Sequence, residues 1–265
     1  MCLILLAHGA HAEYPLVLAA NRDEFYDRPT APAAFRADAP HVLAGRDLRA
    51  GGTWMGVTRS GRWAALTNYR EGAAEPATDA VSSRGEIVRE FLVGSDAPDA
   101  FLRRLQPRAH EYSGFNLLVG EGGRVLYFGS RGGDPRELPS GIYGLSNDLL
   151  DTPWPKVRRG KDALRRLLSR DLSPRPAYLL ELLADAEFPP DSELPDTGVG
   201  REWERMLAPL FINTPAYGTR SSTALLIGRA GSATMVERSF LPGRVAAGEV
   251  HFEFTAHRAE HHVPR

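Results

Sequence analysis

The stretch that decides the fold lies near the amino end: CLILLAHGAHAEYPLVLAANRDEF, residues 2–25. Two short apolar runs, CLILLA (2–7) and YPLVLAAN (14–21), flank the turn-rich segment HGAHAE. Apolar runs of this length on either side of a turn predict an antiparallel β-hairpin. The first strand of this hairpin begins with Cys2, the only cysteine of the chain.

Cys2 gains a second reactive group when Met1 is removed. Methionine aminopeptidases remove Met1 when the next side chain is small, and cysteine is small enough. The mature chain then begins with a thiol and a free α-amine on one residue. Their reference pKa values are about 8.5 and about 7.7–8.0, so either group can serve as base for the other near neutral pH. The alternative is a small, buried apolar residue in the first strand.

The second strand ends in the polar segment NRDEF, residues 21–25. Side chains alternate along a strand, so Asn21 and Asp23 share one face while Arg22 and Glu24 share the other. Hairpin pairing then brings Asp23 or Arg22 close to the start of the first strand. A carboxylate there would hold the α-ammonium, and an arginine would lower the thiol pKa. The alternative is a solvated turn, since charged side chains are seldom buried unless paired.

The rest of the chain alternates between hairpins and helices. Further hairpins are predicted around RSG (59–61), Gly122-Gly123 and GRAG (228–231), with short strands in GIYGL and EVHFEF. Helical spacing predicts helices in the segments starting at 82, 95, 156 and 175. Segments 27–50 and 189–202 are predicted as surface loops that shape the mouth of a pocket. We expect one α+β domain over residues 1–265, a four-layer αββα sandwich with mostly antiparallel sheets.

Composition excludes several classes of function. Of 265 residues, 43% are hydrophobic and 25% charged, with a formal net charge of −1, so no basic excess indicates nucleic acid. No apolar run near the start is long enough to cross a membrane, and a signal peptide is not expected. A single cysteine excludes an internal disulfide and a multi-cysteine metal site, so we expect a cytoplasmic protein. The segment HRAEHH (257–262) is a weak candidate for metal binding; a frayed tail is the simpler interpretation.

Two asparagines end apolar strands in the same pattern, Asn68 in AALTNYRE and Asn147 in YGLSNDLLDTPWPK. Asparagine commonly forms turns at such positions, but its amide also suits an oxyanion hole. Tyr69 follows the first asparagine and is a candidate binding residue. Arg220 enters a strand in YGTRSSTALLIG and either faces the same pocket or lies on the surface. Trp54 is a candidate wall of a ligand pocket, with core packing as the alternative.

Together these motifs resemble a known family. Cys2, LAANRDEFYDRPTAPA, AGRDLRAGGTWMGVTRSGRWAALTNYRE, YSGFNLLVG, YGLSNDLLDTPWPKV and YGTRSSTALLI are similar to the NRDE family, the proteins related to transport and Golgi organization protein. The resemblance runs from residue 2 to about residue 240. It implies the αββα fold of the N-terminal-nucleophile hydrolases, and as nearest chemistry that of the cysteine branch, the penicillin V acylases and conjugated bile acid hydrolases.

The resemblance implies hydrolysis of a non-peptide amide or an acyl bond, without a cofactor, on a small-molecule substrate. Cys2 would be the nucleophile and Asp23 would orient it. Asn68 and Asn147 would correspond to the two asparagines of that branch, and Arg220 to its late arginine. Where that branch has its first arginine this chain has Ala20, so Arg22 would replace it only if the strand bulges.

The same family implies an alternative function. Its eukaryotic members are linked to haem trafficking and to lipid or acyl-CoA metabolism, so the chain could be a haem- or acyl-lipid-binding protein on a hydrolase-like scaffold. A thiolate at Cys2, or His8 or His11, would then ligate haem iron. The sequence leaves the ligand and the oligomeric state open.

Overall fold

The computed structural model describes residues 2–72, 82–169 and 173–256. Its strands form two antiparallel sheets. Sheet A contains β1 (Cys2–His8), β2 (Leu16–Phe25), β10 (Gly141–Leu145), β11 (Tyr217–Ile227), β12 (Ser232–Leu241) and β13 (Val245–Thr255). Sheet B contains β3 (Thr30–Arg36), β4 (Ala39–Asp47), β5 (Met55–Thr58), β6 (Trp63–Asn68), β7 (Phe115–Glu121), β8 (Arg124–Gly129) and β9 (Arg136–Glu137).

The order of strands brings distant parts of the chain together. Sheet A runs β10-β1-β2-β11-β12-β13, and sheet B runs β3 to β9 in chain order. Sheet B is therefore a succession of neighbouring hairpins, whereas β1 and β2 in sheet A lie between strands from residues 141–145 and 217–227. The predicted hairpins at both ends of the chain and around RSG and Gly122-Gly123 are confirmed.

Helices cover the outer face of each sheet. α1 (Arg84–Val93) and α2 (Pro98–Leu105) pack on sheet B, while α3 (Pro155–Leu168) and α4 (Pro176–Leu183) pack on sheet A; α5 (Arg201–Met206) precedes β11. α2, α3 and α4 each begin at a proline, which is suited to the first turn of a helix. A third apolar layer lies between the two sheets. The four-layer αββα arrangement is as predicted.

The prediction of a surface loop over residues 27–50 is wrong, because this segment contains the hairpin of β3 and β4. The segment is rich in proline, which usually disfavours a strand. However, β3 lies at the edge of sheet B, where a residue without a backbone N–H is tolerated. The pairing of β3 with β4 shifts register twice, between Ala31 and Ala34 and between Phe35 and Arg36. Such irregular pairing removes the strict alternation by which strands are identified. The predicted loop 189–202 contains one 3-10 turn (Asp191–Glu193) and meets α5 at its end.

Among the described residues, no helix is both long enough and apolar enough to cross a membrane. The histidine-rich segment at 257–262, considered above for metal binding, lies outside the described residues.

Candidate active site

The hairpin of β1 and β2 positions the candidate nucleophile. Cys2 is paired directly with Arg22, so both side chains leave sheet A on the face that looks toward sheet B. There they line a cleft of about 100 Å³ between the sheets. The cleft also contains Asp23, Glu24, Trp54 and Asn68 among its lining residues, so it collects six of the ten predicted site residues.

Arg22 reaches the cleft without a bulge in β2. Its guanidinium lies 4.3 Å from the centre of the Trp54 ring, and its Nη1 donates to Thr30 Oγ1 at 3.1 Å. Its Nη2 is 3.7 Å from Asp47 Oδ2. The irregularity of pairing lies instead in β11, beyond Thr219. Arg22 therefore faces the cleft from a regular strand, on the face opposite to Asp23. The role of this arginine relative to the first arginine of the cysteine branch stays a prediction.

The environment of Cys2 keeps its thiol protonated. Cys2 is half-buried, and desolvation by this burial raises the pKa of the thiol above its ordinary value of 9.0. The charge of Asp23 raises this pKa further, whereas Arg22 lowers it. The predicted effect of the arginine is present, but burial outweighs it. Nucleophilic attack by Cys2 at neutral pH therefore needs a base to take the thiol proton.

The side chains of Asn21 and Asp23 leave the opposite face of β2, toward the helices, and Asp23 borders the cleft from that side. Asp23 Oδ1 accepts a hydrogen bond from Thr219 Oγ1 at 2.7 Å. Burial raises the pKa of Asp23, and the charge of Lys156 opposes this shift. Asn21 does not line the cleft; its Nδ2 donates to the carbonyl oxygens of Leu183 and Leu210. Asn21 thus ties sheet A to the segments that cover it.

The two asparagines lie where β6 and β10 end beside β1. Asn147 Nδ2 donates to the carbonyl oxygen of Asn68 at 2.9 Å, which joins the two strand ends. Ser146 Oγ donates to the carbonyl oxygen of Cys2 at 3.1 Å and thereby fixes the start of β1. Asn68 lines the cleft, whereas Asn147 is buried behind it. Of the two asparagines, Asn68 is therefore the one placed to contact an oxyanion formed in the cleft.

Two further predicted residues, Arg220 and Tyr69, lie outside the cleft, as Asn21 and Asn147 do. Arg220 Nη1 donates at 2.9 Å to the carbonyl oxygens of Phe25 and of Arg28, so it holds the turn after β2. Its side chain borders a neighbouring cavity of about 300 Å³, which shares Trp54 with the Cys2 cleft. Tyr69 follows β6, and its backbone N–H donates to the carbonyl oxygen of Gly114. Neither residue is among those that line the Cys2 cleft.

The structure adds a buried charged cluster that the sequence did not indicate. Arg70 and Glu204 form an ion pair at 2.5 Å with both side chains almost fully buried. Lys156 is 2% exposed, and its Nζ donates to the carbonyl oxygen of Leu207 at 3.0 Å. Burial lowers the pKa of Lys156 to about 8, while the charge of Asp23 acts to raise it. One sequence feature does distinguish Lys156: only two of the 32 basic residues are lysines.

The volume of the cleft and the positions of the candidate iron ligands can be compared with what haem binding requires. A volume of about 100 Å³ is well below the roughly 300–1,000 Å³ of pockets that hold drug-sized molecules. His8 lies at the far end of β1, about 20 Å from Cys2 at the rise of a strand, so the two cannot ligate one iron. Within the described ranges, no group of three or more His, Cys, Asp or Glu residues is arranged to hold a metal ion.

Fold and site together define the class of the protein. It is a four-layer αββα protein whose second residue is a cysteine at a cleft between the two sheets. The chain belongs to the TANGO2 family (Transport and Golgi organisation 2), whose sequence profile matches residues 1–242. The resemblance predicted from its motifs is confirmed.

Relatives in animals match over most of their length. The Transport and Golgi organization protein 2 homolog of Bos taurus is 39% identical over 246 residues, which cover 86% of this chain and 87% of the relative. The homolog of Homo sapiens is 35% identical over 260 residues, covering 91% and 93%. Among solved structures, the Caenorhabditis elegans N-acylethanolamine-hydrolyzing acid amidase (NAAA) ortholog is similar with a TM-score of 0.44 and 13% identity, over 85% of this chain and 92% of that one.

Proposed function

We propose that the chain is a cysteine-nucleophile hydrolase of the N-terminal-nucleophile type, acting on a non-peptide amide or an acyl bond of a small molecule. The single observation that carries the proposal is the position of Cys2 opposite Arg22 at the cleft between the sheets. A cysteine with a purely structural role would be expected to pack among apolar side chains, whereas Cys2 lines a cleft together with Arg22 and Asn68. We place the reaction in the cytoplasm, where a lone thiol stays reduced.

The reaction follows from the groups around Cys2. After removal of Met1, the α-amine of Cys2 takes the proton of the thiol, and the thiolate attacks the carbonyl carbon of the substrate. The resulting oxyanion would be stabilised by Asn68, with Arg22 as a nearby positive charge. The amine then returns the proton to the leaving group, the C–N or C–O bond breaks, and a thioester remains on Cys2. Water hydrolyses this thioester, which releases the acyl group as a carboxylic acid and regenerates the thiol.

The remaining predicted residues have supporting roles in this proposal. Asp23 lies beneath the start of β1 and would orient the α-ammonium of Cys2. Asn147 would hold Asn68 through the hydrogen bond between them. Arg220 would act at a distance by fixing the turn after β2. The small cleft would accept only the scissile group, so the larger substituent of a substrate would extend outside it.

The first test is the intact mass of the freshly purified chain, which we expect to lack Met1. A screen with N-acyl amino acids and acyl thioesters should then give turnover that Cys2→Ala abolishes and Cys2→Ser sharply reduces. Turnover that persists in Cys2→Ala would contradict the proposal, and so would full retention of Met1.

A matched control separates the amine from the thiol. Insertion of a glutamate between Met1 and Cys2 blocks removal of Met1, because the aminopeptidase requires a small second residue. This variant keeps the thiol but lacks the free amine beside it. We expect it to react with iodoacetamide and to be inactive as a hydrolase. Full activity in this variant would exclude the α-amine as the base.

A further inference from the structure

A row of paired residues leads across sheet A from Cys2 to the neighbouring cavity of about 300 Å³. Cys2 pairs with Arg22, Arg22 pairs with Ser221, and Ser221 pairs with Ser239. Directly paired side chains leave a sheet on the same face, so all four face the space between the two sheets. At about 4.8 Å per strand, the Cα atom of Ser221 lies roughly 10 Å from that of Cys2. Ser221 and Ser239 both line the cavity.

A thin wall separates this cavity from the Cys2 cleft. Trp54 lines both spaces, and the centre of its ring lies 4.3 Å from the Arg22 guanidinium. Thr30 lines the cavity and accepts a hydrogen bond from Arg22 Nη1 at 3.1 Å. The Trp54 ring also packs directly on the backbone of β4, since a side chain at Gly45 would overlap it. The cleft and the cavity are therefore neighbours across one indole ring.

Glu237 contributes a buried carboxylate to the lining of the cavity. It pairs with Thr223, two residues along β11 from Ser221, so it faces the same space, and it is 1% exposed. Its Oε1 accepts a hydrogen bond from the backbone N–H of Ala33 at 2.7 Å, and its Oε2 accepts one from Thr223 Oγ1 at 3.2 Å. The first bond joins sheet A to β3 where the pairing of that strand is irregular. Both bonds fix the carboxylate in place, but neither partner carries a positive charge.

The negative charge of Glu237 has no close counterpart in the described part of the chain. None of the ion pairs within 4.0 Å there includes Glu237, and Arg22 acts on it only from a greater distance. Burial raises the pKa of the Glu237 carboxyl, because the charged form is poorly solvated. Buried charges in proteins are usually paired. A cationic group of a ligand in the cavity would supply the counterpart.

Ser221 adds a second polar group to the same part of the cavity. It is 4% exposed, and among the described residues its Oγ has no hydrogen-bond partner. Ser221 lowers the pKa of the Glu237 carboxyl, so the two groups are close, yet no hydrogen bond of ordinary length and angle joins them. An ammonium group has three N–H donors and can donate to both. The apolar side chains of Phe240, Leu241 and Val250 line the cavity and suit a hydrocarbon chain.

We propose that this cavity holds the larger substituent of the substrate, with Glu237 and Ser221 binding a primary ammonium group at its end. The substrate is then a long amide or acyl compound with a terminal amine. Glu237 lies three strands across and two residues along from Cys2, so roughly 16 Å separate their Cα atoms. The inference rests on the proposed function for the reaction at Cys2, but binding in the cavity is measurable without turnover.

The test uses iodoacetamides that carry an alkyl chain on the amide nitrogen and form one adduct on Cys2, the only cysteine. Chains of eight and of two carbons are compared, each ending either in an ammonium or in a methyl group. The rates are followed by intact mass on the full-length chain at pH 7.5. The long ammonium probe should react about tenfold faster than the long methyl probe, because a charge-assisted hydrogen bond holds it in the cavity. The short ammonium probe cannot reach Glu237 and should have no such advantage over the short methyl probe.

Three variants locate the effect. Glu237→Gln keeps the shape of the side chain and an acceptor for the Ala33 N–H, and it should remove the advantage of the long ammonium probe. Glu249→Gln is the matched control and should keep the advantage, because Glu249 lines the same cavity but is exposed and paired with Arg238. Ser239→Phe covers the case in which Glu237→Gln does not fold. Ser239 is partly exposed, and the larger side chain should fill the cavity and also remove the advantage.

Different outcomes separate the possible failures. Equal rates for the two long probes in the unmodified chain would overturn the ammonium site, and so would an advantage that persists in Glu237→Gln. A faster reaction of the long methyl probe would show a purely apolar pocket and would also overturn it. An ammonium advantage in a chain that hydrolyses no substrate would leave the site standing and refute the proposed function. Turnover at Cys2 without any preference for a terminal amine would refute the site and leave the proposed function standing.

Discussion

Cys2 and Arg22 are directly paired across β1 and β2, so a thiol and a guanidinium leave the sheet side by side. Asp23, one residue further, leaves on the other face and meets Thr219 and the helix layer. The hairpin therefore separates two influences on Cys2. The positive charge of Arg22 acts within the cleft, and the buried carboxylate of Asp23 acts from the other face of the sheet.

Arg22→Met should slow the reaction of Cys2 with iodoacetamide at pH 7.5. The substitution keeps a long side chain against Trp54 but removes the charge that lowers the thiol pKa. We expect a decrease of about three- to tenfold, measured by intact mass. Arg46→Met is a suitable control, because Arg46 pairs with Asp38 away from the cleft. An unchanged rate in Arg22→Met would show that Arg22 does not influence the thiol.

Asn21→Leu should destabilise the fold without affecting Cys2. Leucine has a similar volume but leaves the carbonyl oxygens of Leu183 and Leu210 and the hydroxyl of Ser222 without their partner. The expected loss is about 2–4 kcal/mol in the free energy of unfolding, measured with urea. The rate of Cys2 alkylation should stay the same under native conditions. A folded variant of normal stability with altered alkylation would favour Asn21 as a binding residue.

Arg70→Met should be among the most damaging substitutions of a charged residue. It leaves Glu204 buried with its negative charge uncompensated, which costs about 3–5 kcal/mol. The matched control is Arg205→Met in the same helix as Glu204. Arg205 is half exposed in its pair with Asp191, so its loss should change the free energy of unfolding far less than the loss of Arg70. Equal losses in the two variants would mean that the Arg70–Glu204 pair is not buried in solution.

Lys156 should make stability rise with pH in the alkaline range. The unfolded chain keeps the lysine proton up to the ordinary pKa of 10.5, whereas the folded chain releases it at about 8. Between these values the unfolded state binds more protons, so the free energy of unfolding increases with pH, by at most about 3 kcal/mol from this residue.

Lys156→Met lacks this contribution, and Lys161→Met retains it. Urea unfolding of the three proteins at pH 7, 8, 9 and 10 should therefore show the unmodified chain gaining stability relative to Lys156→Met above pH 8. A constant difference between the two across this range would contradict the low pKa of Lys156.

Most of the fold could be predicted because its hairpins are local. The glycine pair Gly122-Gly123 and the RSG turn each separate two apolar runs, and both predictions are confirmed. The β3–β4 hairpin was missed because its proline-rich edge strand lacks regular alternation. The pairing of β2 with β11 could not be predicted, since it joins residues about 200 positions apart and no local pattern encodes it.

The site was predictable only where strand geometry sufficed. Alternation along NRDEF correctly assigned Arg22 and Asp23 to opposite faces of β2. The buried cluster of Lys156, Arg70 and Glu204 was not predicted, because charged residues in helices and loops normally face solvent and burial is set by distant packing. The roles of the predicted residues in catalysis and the single-domain organisation stay predictions.

The position of β1 inside sheet A has a consequence for the time at which the site forms. One neighbour of β1 is β10, and its other neighbour, β2, pairs in turn with β11, which ends at Ile227. On the ribosome, β1 and β2 must therefore wait until β10 and β11 have emerged before their sheet closes around them. Throughout that interval the amino terminus is accessible to the processing enzymes of the nascent chain, and the thiol has neither its cleft nor its charged neighbours. The site at Cys2 is thus completed only when strands made much later have joined the sheet.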